Sequence, residues 1–287
     1  MQMGDLARYG LETSMPTQVA QYVLEYVHVA TGLPWWAAIG VAVVGFRAAT
    51  LPLAAWSHKH HVNAMQHQPE MTALMSKVNA ASAEKNMVAS QMYLQQINNL
   101  RARHNISMAK PLVGNLIQIP FAVVMFLALK DLAQIPITHM ATGGALWFAN
   151  LAVPDPYYIL PMASAGLTIG LMELQNRLTS ASGMTPGMRT GLRVMAVFGA
   201  LITSKFSAAV LLFWVYNALA SIAQALLFNS AAFRRLLNIP VVKKVTMARP
   251  QKSFVDNVKE LLGKKTPANY VAPRKPGYIA PGKRAQK

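Results

Sequence analysis

The chain has 287 residues, of which 53% are hydrophobic and only 13% are charged, yet its formal net charge is +17. So small a charged fraction argues against a soluble globular protein, and the absence of cysteine excludes disulfides, thiolate metal sites and cysteine nucleophiles. The few charged residues are mostly positive. They are concentrated in the polar segments, because the long apolar stretches contain almost none.

The first third of the chain predicts one membrane span between two polar segments. Residues 1–34 form an N-terminal segment in which 13–31 have the pattern of an amphipathic helix lying along a membrane surface. Residues 35–56 are apolar and long enough to cross a bilayer, which takes about 20 residues. In residues 58–110 apolar side chains recur at spacings of three and four, which predicts two helices packed as a hairpin.

Four further spans are predicted in the rest of the chain. Residues 111–129 form the second span, and 157–174 form a slightly short third one. The run from Leu192 to Phe228 is too long for one helix and fits two, folded back at the polar sequence TSKFS around Lys205. The sequence therefore predicts an all-α membrane protein with five transmembrane helices, a core over residues 35–240 and a basic flexible tail over 241–287. Within this tail, residues 254–262 favour a short helix.

The distribution of lysine and arginine predicts the orientation in the membrane. The 58–110 segment, the connection after the third span and the C-terminal tail are all basic. The N-terminal flank and the 130–157 connection instead have more acidic than basic residues. With five spans, all three basic segments fall on one side, which predicts an outer N-terminus and an inner C-terminus.

One full positive charge, Arg47, lies inside the first apolar stretch, roughly 13 Å from Trp56 along a helix axis. A charge at this depth costs at least a few kcal/mol, and snorkelling recovers only part of the distance. We therefore expect Arg47 to face a hydrated interior pocket. The other polar residues of the spans either line that pocket or form interhelical hydrogen bonds; they are Asn115, Gln118, Glu173, Asn217, Ser221 and Gln224, of which the last three share one helix face.

Two further sets of residues suggest ligands. The sequence HKHHVNAMQH at 58–67 contains four histidines, for which a solvated helix face is expected rather than a metal site. The charge of the tail suits a polyanion, either ribosomal RNA or an anionic lipid surface. The basic residues of the tail are Lys243, Lys244, Arg249, Lys252, Lys259, Lys264, Lys265, Arg274, Lys275, Lys283, Arg284 and Lys287.

Several separated motifs resemble the YidC/Oxa/Alb family of membrane protein insertases, most nearly its mitochondrial Oxa members. They are VLEYVHVATGLPWWAAI (23–39), R-x-x-x-L-P-L (47–53), Q-x-P-F (118–121), GGALWFANLAVPDPYYILP (143–161) and LLFWVYNALASIAQ (211–224). The resemblance implies a five-helix core that holds a hydrophilic groove, closed toward the outer leaflet and open to lipid and to the inner side. It also implies that Arg47 is the groove arginine and that Gln118 and Gln224 occupy motif positions.

The chain departs from the family pattern at one place. Many members have asparagine four residues after the tryptophan of the fifth span, where this chain has Ala218. Its own asparagine is one residue earlier, Asn217, which rotates the side chain by about 100° around the helix.

The resemblance further implies that the basic tail binds the ribosome and that nascent membrane proteins are the substrates. The expected location is the mitochondrial inner membrane, with the chloroplast thylakoid as the alternative. The alternatives in function are a transporter in which Arg47 binds an anionic solute and a structural membrane scaffold. Neither an enzyme nor a cofactor is expected, because the spans contain no nucleophile–base pair or cluster of metal ligands.

Overall fold

The computed structural model describes residues 3–5, 14–135, 138–178 and 186–237, and this part of the chain is helical without a β-strand. Its helices are α1 (Met15–Thr31), α2 (Trp35–Gln66), α3 (Gln68–Ala83), α4 (Met87–Arg103), α5 (Val113–Gln134), α6 (Thr138–Ala141), α7 (Ile159–Leu178), α8 (Pro186–Thr203), α9 (Ala208–Asn229) and α10 (Ala231–Leu236). The all-α prediction is confirmed for these residues. The predicted tail, with its helix at 254–262, lies outside them.

Among the described residues, three helical segments are long and apolar enough to cross a membrane: Trp35–Gln66, Lys110–Gln134 and Ala208–Asn229. They contain the predicted first, second and fifth spans. Helices α7 and α8, with 20 and 18 residues, lie where the third and fourth spans are predicted. The chain turns between Thr203 and Ala208, at the predicted polar break. The five-span topology remains a prediction.

Helix α2 extends ten residues beyond the predicted end of the first span and includes the first residues of the 58–110 segment. Apolarity ends at Trp56, but a helix needs only compatible backbone conformations, so a polar segment can continue it. After α2, the helices α3 and α4 pack against each other and are separated by Glu84, Lys85 and Asn86. The two helices lie within residues 58–110, where the hairpin is predicted.

The apolar core lies at one end of the bundle. It is a cluster of buried side chains. The cluster takes in the first part of α2 as far as Val43, the first part of α9 as far as Phe213, and the last part of α5 from Met125 onward. Helix α1 packs across α2 and α5 and contributes the fully buried Leu24. Helix α9 is central, since it contacts α2, α5 and α7, whereas α8 packs mainly against α7.

The connection between α6 and α7 closes this end of the bundle by hydrogen bonding. The first amide groups of α9 need acceptors, and the N–H groups of Ala208 and Ala209 donate to the carbonyl oxygens of Val153 (2.8 Å) and Leu151 (3.0 Å). Within the same connection, the N–H of Gly144 donates to the carbonyl oxygen of Ala149 at 3.0 Å. The connection is thereby fixed to the start of α9.

Candidate functional site

Arg47 lies one turn beyond Val43, just past the end of the apolar core. Its side chain is half-buried and points from α2 to α9. The guanidinium Nη1 donates to Gln224 Oε1 at 2.7 Å, and Nη2 donates to Asn217 Oδ1 at 2.8 Å and to Ser221 Oγ at 2.6 Å. The carbonyl oxygen of Asn217 also lies 3.3 Å from Nη2. The charged residue of the first span is therefore hydrogen-bonded to three residues of one other helix.

The second span joins the same network through Gln118. Its Nε2 donates to Asn217 Oδ1 at 2.9 Å, so this single oxygen accepts from both α2 and α5. Ser221 Oγ in turn donates to the carbonyl oxygen of Asn217 at 2.7 Å. We call Arg47, Gln118, Asn217, Ser221 and Gln224 the polar cluster; it links α2, α5 and α9.

The positions of these residues follow from helix geometry and from the aromatic packing beside them. Residues 217, 221 and 224 are four and three apart, so their side chains share one face of α9. Next to Arg47, Phe46 stacks on Phe121 with ring centroids 3.5 Å apart. On the core side of the cluster, a Cβ built on Gly40 would be 3.3 Å from the Tyr216 ring, so α2 and α9 approach closely there.

The structure does not bring Asn115 and Glu173 into this network. Asn115 is exposed, one turn nearer the start of α5 than Gln118. Glu173 of α7 forms an ion pair with Arg193 of α8. For both residues a place in the groove remains a prediction from the sequence alone. In the structure, the ion pair of Glu173 joins α7 to α8.

Ser57 is a polar contact that the sequence did not single out. Its hydroxyl donates to the carbonyl oxygen of Pro111 at 2.8 Å and accepts from the N–H of Gly114 at 3.3 Å. It thus joins α2 to the start of α5, about three turns beyond Arg47. In the sequence, Ser57 is a serine that follows an apolar stretch and Gly114 is a glycine inside another one. Neither residue type at such a place predicts this contact.

The histidines at 58–67 face different partners. His58 stacks on Phe228, His60 meets Trp56 edge to face, and His67 stacks on His104 with ring centroids 3.9 Å apart. Within the described part of the chain, no three His, Asp or Glu side chains are placed to hold a metal ion. These rings therefore pack against aromatic neighbours, and their positions give no support to a metal centre.

The polar cluster leaves the charge of Arg47 uncompensated. All its acceptors are neutral amide, hydroxyl or carbonyl oxygens. Among the described residues no carboxylate pairs with it. In a region of low dielectric constant, an uncompensated cation attracts anions far more strongly than it would in water. The arrangement can bind a carboxylate reversibly, and it contains no nucleophile positioned beside a base.

Comparisons with known proteins place this geometry in context. Residues 26–235, which include the whole polar cluster, match the model of the family described as 60Kd inner membrane protein. The mitochondrial inner membrane protein OXA1L of Bos taurus is 29% identical over 256 residues, covering 88% of this chain and 58% of its own length. The chain thus spans somewhat more than half of that relative.

Two further relatives show a similar level of identity. The mitochondrial inner membrane protein OXA1 of Saccharomyces cerevisiae is 29% identical over 229 residues, covering 80% of this chain and 56% of its own length. The cytochrome c oxidase assembly protein COX18, mitochondrial, of Homo sapiens is 32% identical over 258 residues, covering 81% of this chain and 76% of its own length. The similarity therefore extends over most of the described helices.

Proposed function

The chain belongs to the 60Kd inner membrane protein family, the YidC/Oxa/Alb family, and we propose from this that it is a membrane protein insertase. The single observation that carries the proposal is Arg47, held at the centre of a polar cluster between three helices and beside a tightly packed apolar core. A hydrophilic groove that is closed at the core end and open at the other would have this construction.

The mechanism follows from the cost of moving polar groups through lipid. A client segment with polar or acidic residues in its translocated tail is costly to transfer into hydrocarbon. A hydrated groove that reaches partway across the bilayer shortens the apolar path. Arg47 attracts the acidic residues of the tail, and the apolar segment of the client leaves sideways into lipid. No covalent step is needed.

The proposed topology has five spans, with the N-terminus outside and the α3–α4 pair and the tail inside. The names of the OXA1L and OXA1 relatives support the mitochondrial inner membrane as the location. In this orientation the apolar core faces the intermembrane space and the polar cluster is reached from the matrix. The basic tail over 241–287 then lies on the side where mitochondrial ribosomes work, and we propose that it binds them through RNA phosphates.

We further propose that the clients include subunits of respiratory complexes. The support is the similarity to COX18, whose name describes cytochrome c oxidase assembly and of whose length this chain covers 76%. A narrow range of clients and a broad range are both compatible with an electrostatic groove, because Arg47 recognises a charge rather than a sequence.

Reconstitution tests the proposal directly. Purified protein in liposomes should insert a single-span client with an acidic translocated tail, measured as the fraction of client protected from added protease. Arg47→Ala should slow this insertion, whereas Arg47→Lys, which keeps the charge but not the planar fork, should retain part of it. Equal insertion by empty liposomes and by liposomes containing the protein would exclude the insertase function.

The same liposomes also test the alternative of an anion transporter. Uptake of a radiolabelled anion that depends on Arg47, without insertion of the client, would favour a transporter. Retention of insertion without uptake would favour the insertase.

A further inference from the structure

The donors of Arg47 are unequally occupied. A guanidinium has five N–H donors, two on each Nη and one on Nε. At Nη2, three oxygens from Asn217 and Ser221 share two hydrogens. At Nη1, one hydrogen is used by Gln224, and the buried Nε has no hydrogen-bond partner.

This occupancy means that a carboxylate binds by exchange. A bidentate carboxylate uses two parallel N–H groups, either of Nη1 and Nη2 or of Nε and Nη2, so both arrangements require Nη2. On the fully occupied nitrogen, the carboxylate must first displace Asn217 or Ser221. A bidentate ligand therefore gains its bond to Nη2 only by replacing one that the resting protein already has.

Exchange of this kind separates ligands by charge. Replacing a neutral oxygen by another neutral oxygen gains little, because the two hydrogen bonds are similar. Replacing it by a carboxylate gains a charge-assisted bond, which is roughly twice as strong. A neutral polar tail therefore gains nothing from Arg47, while an acidic tail does.

We propose that Asn217 and Gln224 are specificity-determining residues because both give Arg47 neutral acceptors: Asn217, with Ser221, holds Nη2 until a carboxylate displaces it, and Gln224 leaves the charge uncompensated. This inference rests on the proposed function and names the group that the groove selects. Asn217 matters most, because its Oδ1 accepts from Arg47 and from Gln118 at once. An internal carboxylate at this position would keep both accepted hydrogen bonds and neutralise the guanidinium permanently.

The test uses two clients that differ in one atom group. Both are single-span proteins. One has an Asp in its translocated tail, and the other has an Asn at the same position. They are inserted into proteoliposomes without a membrane potential. The measured quantity is the ratio of Asp-client to Asn-client insertion. From the difference between charge-assisted and neutral hydrogen bonds, we expect a wild-type ratio of about fivefold.

The variants are Asn217→Asp and Gln224→Glu, with Asn99→Asp on the exposed surface of α4 as the control that adds the same charge far from Arg47. We expect the first two to bring the ratio to about one and the control to keep the wild-type ratio. If Asn217→Asp does not reconstitute, Gln224→Glu decides the question.

Three results would overturn the inference: a wild-type ratio of one, an unchanged ratio in both variants, or an equal loss of both clients in the variants, which would indicate a purely structural contact. Each of these leaves the insertase function in place, because the wild type still inserts the Asn client. Failure of the wild type to insert either client would instead remove the proposed function and the inference with it.

Discussion

A Cβ built on Gly114 of α5 would lie 3.1 Å from the Cβ of Ser57 on α2, so the two helices cross with almost no space between them. Small residues at helix crossings in membranes allow this close approach, and here the serine hydroxyl also serves the backbone at the start of α5.

We expect Gly114→Val to force α2 and α5 apart and to lower the free energy of unfolding by about 1–3 kcal/mol. Thermal unfolding in detergent micelles measures the effect. Gly166→Val in α7 is the matched control, because nothing lies within 4 Å of a Cβ at that position. Equal losses at both glycines would show that helix propensity, not the crossing, is responsible.

Gly144 should tolerate no side chain. Its Cβ would lie 1.8 Å from the carbonyl oxygen of Phe148, a backbone atom that cannot move aside cheaply. We expect Gly144→Ala to open the connection that closes the core end, at a cost above about 3 kcal/mol, seen as a lower melting temperature and faster proteolysis. Gly170→Ala in α7, which has open space around it, should leave both measurements near wild type.

The attachment of the α3–α4 pair to α2 should depend on pH through His67. Partial burial, together with the neighbouring imidazole of His104, lowers the pKa of His67, and Glu70 opposes this shift. A lowered pKa means that the folded contact favours the neutral ring. The stabilisation is therefore complete above the ordinary histidine pKa of about 6.5 and is lost as the pH falls from there through the lowered pKa of the folded state.

Amide hydrogen exchange at the C-terminal end of α4 should thus be faster at pH 5.5 than at pH 7.5, after correction for the intrinsic pH dependence of exchange. His67→Gln should flatten this difference, because glutamine does not titrate. A pH response that survives the substitution would assign the effect to another group.

The topology can be tested without removing any native cysteine, because the chain has none. Lys85, between α3 and α4, and Leu146, between α6 and α7, are both exposed, the latter by 83%. In the proposed orientation, a membrane-impermeant maleimide added from the matrix side labels Lys85→Cys and not Leu146→Cys. Labelling of both positions from the same side would overturn the orientation.

Truncation after Pro240 should leave the helical core folded but weaken co-sedimentation with ribosomes. Phosphate contacts release counterions, so log K should fall linearly with log salt for the full chain. A tail with the same residues in shuffled order should retain much of the binding, because charge does the attracting. Identical binding by full-length and truncated protein at every salt concentration would exclude the tail as the anchor.

Local patterns in the sequence predicted the helices well, and their ends less well. Long apolar runs predict α2, α5 and α9, because about twenty consecutive apolar residues are typical of a helix that crosses a membrane. The continuation of α2 to Gln66 was missed, since a polar helix has no hydropathy signal at its end. The acceptors for the first amides of α9 were missed as well, because Leu151 and Val153 are more than fifty residues away.

The polar cluster could be predicted in part. The spacing of Asn217, Ser221 and Gln224 places them on one face of α9, and the cost of an unpartnered charge indicates that Arg47 needs such a face. The offset of Asn217 from the family position does not remove it from the site, because the long arginine side chain reaches it. The pairing of Glu173 with Arg193 depends on how α7 and α8 pack, which no local pattern encodes.

The one-sided position of the apolar core has a mechanical consequence. The core joins α2, α5 and α9 up to Val43 and Phe213. Beyond these residues α2 stays tightly packed against α5 at Ser57 and Gly114, whereas α9 is joined to them by the hydrogen bonds of the polar cluster and by the stacking of Phe228 on His58. Breaking a few exchangeable hydrogen bonds costs much less than exposing a packed core. If the chain is an insertase, we therefore expect α9 to move away from the α2–α5 pair at the level of Arg47, roughly 12 Å from Ile39, while the core at the other end stays packed and serves as the hinge.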